Sequence, residues 1–239
     1  MGVAGALTRG APAAALQSLA VEIPRWRVPP VPLAWNSSAE LSSWRWDEVP
    51  ALSPFTLADG SGPAVQQTRT RLCWSQTALY VRFDCEDRDA WGTYGRRDDP
   101  IYEEEAVEVF LAPGDANPTW YYEFEVSPLG TLFDARIHNP TSRRADMAAD
   151  PSWDCNGIRW RTGSGLAQQD WWAVLSIPWR GIAPQGELPR IWRANFYRIE
   201  RPRDGEPEFS CWSPTLTRPA DFHQPARFGI LELAGSSSR

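Results

Sequence analysis

The sequence predicts an all-β protein: a single antiparallel β-sandwich of jelly-roll or immunoglobulin-like type. Three observations predict it. Short runs alternate apolar and polar residues with the period of two that a strand imposes. Turn signals containing Gly, Pro, Asn or Asp separate those runs. A sustained helical period is almost absent, and strands without helices pack as sheet on sheet.

The elements follow in order. Residues 1–19 are rich in Ala and Gly and read as a flexible extension. Residues 20–28 suggest a first strand centred on Leu19 to Ile23, followed by a connector stiffened by Pro29, Pro30 and Pro32. Trp44 and Trp46, two apart, would share one strand face. Residues 53–63 read as a loop. Residues 68–86 form the clearest hairpin, turning at Ser75-Gln76-Thr77, with Leu79, Val81, Phe83 and Cys85 on a core face. An acidic stretch around Asp87 and Asp89 leads to Pro100.

The next strand is the one the chain is organised around. In residues 106–111, Val107, Val109 and Leu111 point one way and Ala106, Glu108 and Phe110 the other. A carboxylate within a strand is costly when buried without a partner. Glu108 therefore faces water or has a task, and an edge strand with protective charges is one reading. Tyr102 stands just before it. After a turn at residues 113–118, Trp120, Tyr122, Phe124 and Val126 alternate with Tyr121, Glu123 and Glu125. Strands then follow over residues 131–137, 158–162, 171–177, 192–200 and 228–233, with a short one beginning at Cys211-Trp212. Residues 138–153 read as irregular, 178–182 as a helical turn and 235–239 as a disordered tail. No linker or repeat divides 20–234, which reads as one domain.

Composition excludes several classes. The chain has 239 residues, 42% hydrophobic, enough for a real core, and a net charge of −6. Without a basic patch, nucleic acid is not an expected partner. No apolar run reaches the length of a membrane span. Residues 1–9 lack a basic start and a continuous apolar stretch, so no secretory signal is read there. An extracellular or periplasmic location would need a start lying upstream. Cys73, Cys85, Cys155 and Cys211 lack metal-ligand spacing, and the spacing leaves their pairing open. His138 and His223 match no metalloenzyme pattern. Most of the fourteen Trp are expected in the core.

Taken together, several segments resemble the family 9 carbohydrate-binding modules, within the DOMON-like sandwiches. They are residues 79–81, 102–110, 121–124, 212–215 and 222–229, and the resemblance covers roughly residues 20 to 234. It implies two aromatic rings clamping a sugar ring, at Tyr102 and Phe222, and a carboxylate at Glu108 accepting bonds from sugar hydroxyls. The chemistry is direct: C–H faces of a pyranose pack on rings, and hydroxyls need polar partners. Glu125 stands where well-known members carry a basic residue, and Tyr197 replaces a polar amide. Asn195 and Arg198 remain nearby as ligand-binding candidates. The resemblance also implies a structural calcium, for which Asp87 and Asp89 are candidates. The expectation is thus a monomeric, non-catalytic binder of an oligo- or polysaccharide, in support of carbohydrate catabolism, with no required cofactor. The alternatives are hydrolysis of O-glycosyl compounds, for which carboxylates are plentiful, and a haem-binding redox module of DOMON type.

Overall fold

The structure, a computed structural model of the chain, describes residues 22–32, 35, 40–165, 170–183 and 187–235. The expected extension, and all of the expected tail except Gly235, lie outside them. Thirteen strands are described: β1 (Arg25–Val28), β2 (Thr56–Leu57), β3 (Thr68–Trp74), β4 (Ala78–Glu86), β5 (Ala106–Pro113), β6 (Trp120–Val126), β7 (Leu132–His138), β8 (Ala148–Asp150), β9 (Arg159–Ser164), β10 (Asp170–Pro178), β11 (Ile191–Glu200), β12 (Glu208–Cys211) and β13 (Gly229–Leu233). The helical segments among the described residues are single 3-10 turns, including the expected one at Trp179–Gly181.

The strands make two sheets. The larger runs β1-β13-β11-β5-β6-β7-β8, with β12 added on β11 and β2 on β12; the smaller runs β3-β4-β10-β9. Pairing is antiparallel except between β1 and β13, which run parallel. Val107, Val109, Leu111, Phe124, Val126 and Phe196 of the larger sheet meet Leu79, Val81, Phe83, Ala173, Leu175 and Ile177 of the smaller one. Each Val, Leu, Ile and Phe among them is worth about 1.5–3 kcal/mol relative to exposure. Trp74 and Trp192 close this interior.

A second core covers the outer face of the larger sheet. Ala106, Phe110, Tyr121, Phe133 and Tyr197 pack there under Phe222 and Phe228, which the last long loop supplies. β5 is therefore buried on both faces, and it lies between β11 and β6. That overturns the edge-strand reading: its charge is not a solvent-facing guard but a buried carboxylate.

Other details differ from expectation for the same reason, tertiary pairing. The first strand starts at Arg25, because its partner is β13; Glu22 and Ile23 precede it, and residues 19–21 lie outside the described ones. Cys211 ends β12 rather than beginning a strand. β2 and β8 form inside stretches read as loop because β12 and β7 offer them edges. Trp44 and Trp46 sit beside and within 3-10 turns, not on a strand. They still stack, with ring centroids 5.9 Å apart.

Candidate functional site

On the outer face, register places four side chains in one row across the larger sheet. Tyr197 of β11 pairs with Glu108 of β5, Glu108 with Glu125 of β6, and Glu125 with Phe133 of β7. Directly paired residues share a face, and neighbouring strands lie ~4.8 Å apart. The row is thus two carboxylates with a ring at each end. Each end ring carries a second ring. Phe222 stacks on Tyr197, centroids 4.3 Å apart and planes 20° apart, and Tyr197 Oη donates to the Phe222 carbonyl at 2.9 Å. Tyr102, on the 3-10 turn Ile101–Glu103, meets Phe133 edge-on at 5.6 Å. Ile101, fully buried, anchors that turn.

Tyr102, Glu108, Glu125 and Phe222 all line one cavity of about 310 Å³. That is at the small end for ligand pockets, which run ~300–1,000 Å³. Tyr102 is the open side, 43% exposed, whereas Phe222 is 8% exposed. Glu123, two residues before Glu125 and on the same face, completes a floor of three carboxylates. One oxygen from each of Glu108, Glu123 and Glu125 lies within 4.8 Å of the other two.

The electrostatics of this floor are unusual. All three glutamates are buried. Burial first, then the neighbouring carboxylates, holds Glu108 and Glu125 well above the usual carboxylate range. Burial pushes Glu123 up to about 7. Neither oxygen of Glu125 receives a hydrogen bond from a protein donor. Glu123 can share one with it only when one of the two carries a proton. Arg144 sits at the rim, 3.6 Å from Asp221 and mostly exposed. His223 is neutral, pushed down to about 3 by burial and by Arg144; its Nδ1 bonds Tyr121 Oη at 2.9 Å, and Nε2 lies 3.9 Å from Glu123.

The other two predicted site residues are placed elsewhere. Asn195 is on the outer face but fully buried, donating to the Ser213 carbonyl at 2.8 Å and accepting from the Ser213 and Phe196 amides. Arg198 shares its strand face with Phe196, so it points between the sheets, over the Trp171 ring at 5.9 Å. Strand alternation decides this: 195 and 197 face outward, 196 and 198 inward.

Arg198 instead organises a second acidic group. Its Nη2 bonds Asp87 Oδ2 at 2.7 Å and the Glu200 carboxylate, and Nη1 donates to the Glu86 carbonyl at 2.6 Å. Carboxylate oxygens of Asp87, Asp89, Glu105 and Glu200 lie within 4.8 Å of one another. Glu105 is fully buried with neither oxygen partnered, and burial pushes it up to about 9. Asp87 lies in the loop after β4 and is buried there. An all-oxygen donor set with an orphaned carboxylate fits a hard cation such as calcium. A third group, Asp98, Asp134 and Asp154, surrounds Arg97, which lies 2.6 Å from both Asp134 and Asp154. The four cysteines are buried free thiols, each pushed up to about 12 by burial, and therefore unreactive.

Sequence reading missed Phe133, Arg144, Phe209, Asp221 and His223 as cavity residues, and gave Glu123 no site role. Glu123 was reachable, since it shares parity with Glu125. The loop residues were not, because nothing local says that the loop folds onto the sheet.

Comparisons with known proteins bear on this geometry. The model of carbohydrate-binding family 9 matches residues 61–233. A protein of Arthroderma benhamiae described as an extracellular protein is 30% identical over 167 residues, spanning 66% of this chain and 74% of that one. Among solved structures, one described as a candidate carbohydrate-binding protein from Bacteroides uniformis superposes with a TM-score of 0.69 at 18% identity, covering 89% of this chain and all of the other. A family 9 module from Caldicellulosiruptor kristjanssonii in complex with glucose gives 0.58 at 15% identity, over 90% of this chain and 98% of that one. The complex with cellotriose gives 0.58 at 16%, over 90% and 96%. These structures share the fold. Among the described residues no helix is long and apolar enough to cross a membrane.

Proposed function

This chain belongs to carbohydrate-binding family 9, and from that premise we propose that it holds one sugar ring in the carboxylate-floored cavity, between Tyr102 and Phe222. The observation that carries the proposal is the transverse row: ring, carboxylate, carboxylate, ring, capped at its ends by the two predicted clamp residues. Apolar C–H faces pack on Tyr102 and Phe222, which cap the row, and hydroxyls donate to the floor. Structural relatives seen with glucose and with cellotriose support a sugar as ligand. The cavity volume suits a single ring, such as a chain end, rather than a long stretch of polymer.

Binding here is non-catalytic. Glycosidases place two carboxyl groups on either side of the bond they cleave. Glu108, Glu123 and Glu125 all rise from two adjacent strands onto one floor, an arrangement suited to accepting hydrogen bonds. Calorimetric titration against mono- and oligosaccharides picked from a glycan array tests the proposal, with chromogenic glycosides as the enzymatic arm. Turnover of any glycoside, abolished by Glu108→Gln, would replace binding with hydrolysis.

Support for a structural calcium comes from the group around Arg198. Asp87, Asp89, Glu105 and Glu200 are the residues to hold it, and the two partnerless Glu105 oxygens favour it. A bound cation would relieve repulsion that Arg198 alone leaves uncompensated. A melting temperature raised by calcium and lowered again by chelator is the expected result, and Glu105→Gln should remove the response. An unchanged melting temperature in saturating calcium would end this reading.

A further inference from the structure

Three clustered carboxyl groups, one of them with neither oxygen bonded by a protein donor, ask for a particular ligand. Resting on the sugar-site reading above, we infer that this cavity selects a cationic amino sugar, its ammonium seated on Glu108, Glu123 and Glu125. The geometry fits. An ammonium has three donors and no acceptor. With charge-assisted bonds of about 2.8 Å in tetrahedral directions, its three oxygens stand roughly 4.6 Å apart. One oxygen from each glutamate lies within 4.8 Å of the others.

A second observation points to a ligand independently of the cluster. Glu125 is 1% exposed, lines the cavity, and receives no protein hydrogen bond at either oxygen. Such a group is costly unless something satisfies it. Hydroxyls of a neutral sugar can donate to it, but they bring no positive charge to a floor that burial otherwise keeps protonated, whereas an ammonium can take the place of those protons. Among the described residues the positive charge facing the floor is Arg144, which lowers Glu108 and Glu123 from a distance but makes no bond to either. Arg144 is at the rim and pairs Asp221, and His223 is neutral beside Glu123. Tyr102 and Phe222 add the remaining specificity, because a cation on a ring scaffold beside aromatic walls gains both C–H packing and cation–π attraction. Glucosamine units of a deacetylated β-linked polymer have this chemistry. Their N-acetylated counterparts lack the charge.

The test compares three tetramers on the unaltered protein by calorimetry in chelator: β-1,4-linked glucosamine, N-acetylglucosamine and glucose. The amine form should bind about tenfold tighter than the others, the difference between a charged and a neutral partner. Glu125→Gln should erase most of that preference, with a melting curve no lower than the parent's. Equal or tighter binding of the glucose or N-acetylated tetramer overturns the inference and leaves the sugar site standing. A neutral sugar that binds only when calcium is restored, in Glu105→Gln as in the parent, also overturns it, since the floor and not the inner group would then hold a metal. No binding of any tetramer, in chelator or in calcium, overturns both readings. The three-ligand comparison decides the matter even where the variant does not fold.

Discussion

Two buried acidic groups lie on opposite faces of the same sheet, and they differ in one respect. The inner one, around Glu105 and Glu200, contains Arg198, which is fully buried and bonded to Asp87, Glu200 and the Glu86 carbonyl. The outer one, Glu108, Glu123 and Glu125, has no buried arginine bonded to it and opens on an aromatic-walled cavity. A buried charge group that carries its own counter-ion belongs to the fold. One that lacks it is completed by protons or by a ligand. On the reading proposed above, the same residue type serves structure on one face and recognition on the other.

The largest effect should come from removing that counter-ion. Arg198→Met leaves the inner carboxylates uncompensated and should cost about 3–5 kcal/mol in denaturant unfolding. Glu125→Gln should cost nothing or stabilise, because it removes one of three repelling groups. Equal losses in both would mean that the two groups are alike, and the contrast would collapse.

The clamp rings divide in the same way. Phe222 is stacked and nearly buried, so Phe222→Ala should lose several kcal/mol of stability, of the order of ~3, along with sugar affinity. Tyr102 is half open, so Tyr102→Ala should weaken binding about tenfold, from ~1–2 kcal/mol of lost packing, with an unchanged melting curve. Trp74→Ala is the interior control: it should lower stability by about 3–5 kcal/mol and leave affinity alone. Normal affinity in both ring variants would remove the clamp.

Acidity acts on both groups: burial pushes Glu123 and Glu200 alike up to about 7. Glu123 in the folded protein keeps its proton up to about pH 7, whereas its ordinary value is near 4.5. The folded state therefore binds more protons than the unfolded chain between those values, and stability falls as pH rises across that window. Melting temperature should drop from pH 5 to pH 7.5. Glu123→Gln should reduce the drop and leave the part that Glu200 contributes, and a ligand that seats a cation on the floor should oppose it. A flat profile in the unliganded protein would contradict the burial of this group.

The smallest effects belong to residues outside both groups. His138 stacks on Trp120 at the far end of β6, centroids 4.2 Å apart, and Cys155 is an inert buried thiol. His138→Ala and Cys155→Ala should leave sugar affinity within twofold by titration.

Much of this was legible along the chain. The hairpin at residues 68–86 and the strands around Glu108, Glu125 and Tyr197 were readable because alternation is a local signal: neighbouring residues must point to opposite faces. Tyr102, Glu108 and Phe222 were reached through family-like segments. Asn195 and Arg198 were assigned to the site by proximity in sequence. Parity alone would have separated Arg198 from Glu108, once the register of β11 on β5 was known.

By itself, the sequence determined the sandwich class, most strands, and which residues share a face on each of them. Those follow from backbone stereochemistry, which acts between adjacent residues. Only the tertiary structure decided the rest. It set β5 in the centre of its sheet and brought Glu108 opposite Glu125. It also folded the loop carrying Phe222 and His223 over the outer face. It gave Arg198 to the inner acidic group and left the outer one without a bonded arginine. Those outcomes depend on register and packing between separate segments, from 17 residues apart for Glu108 and Glu125 to 102 for Tyr121 and His223, for which no local periodicity provides a record.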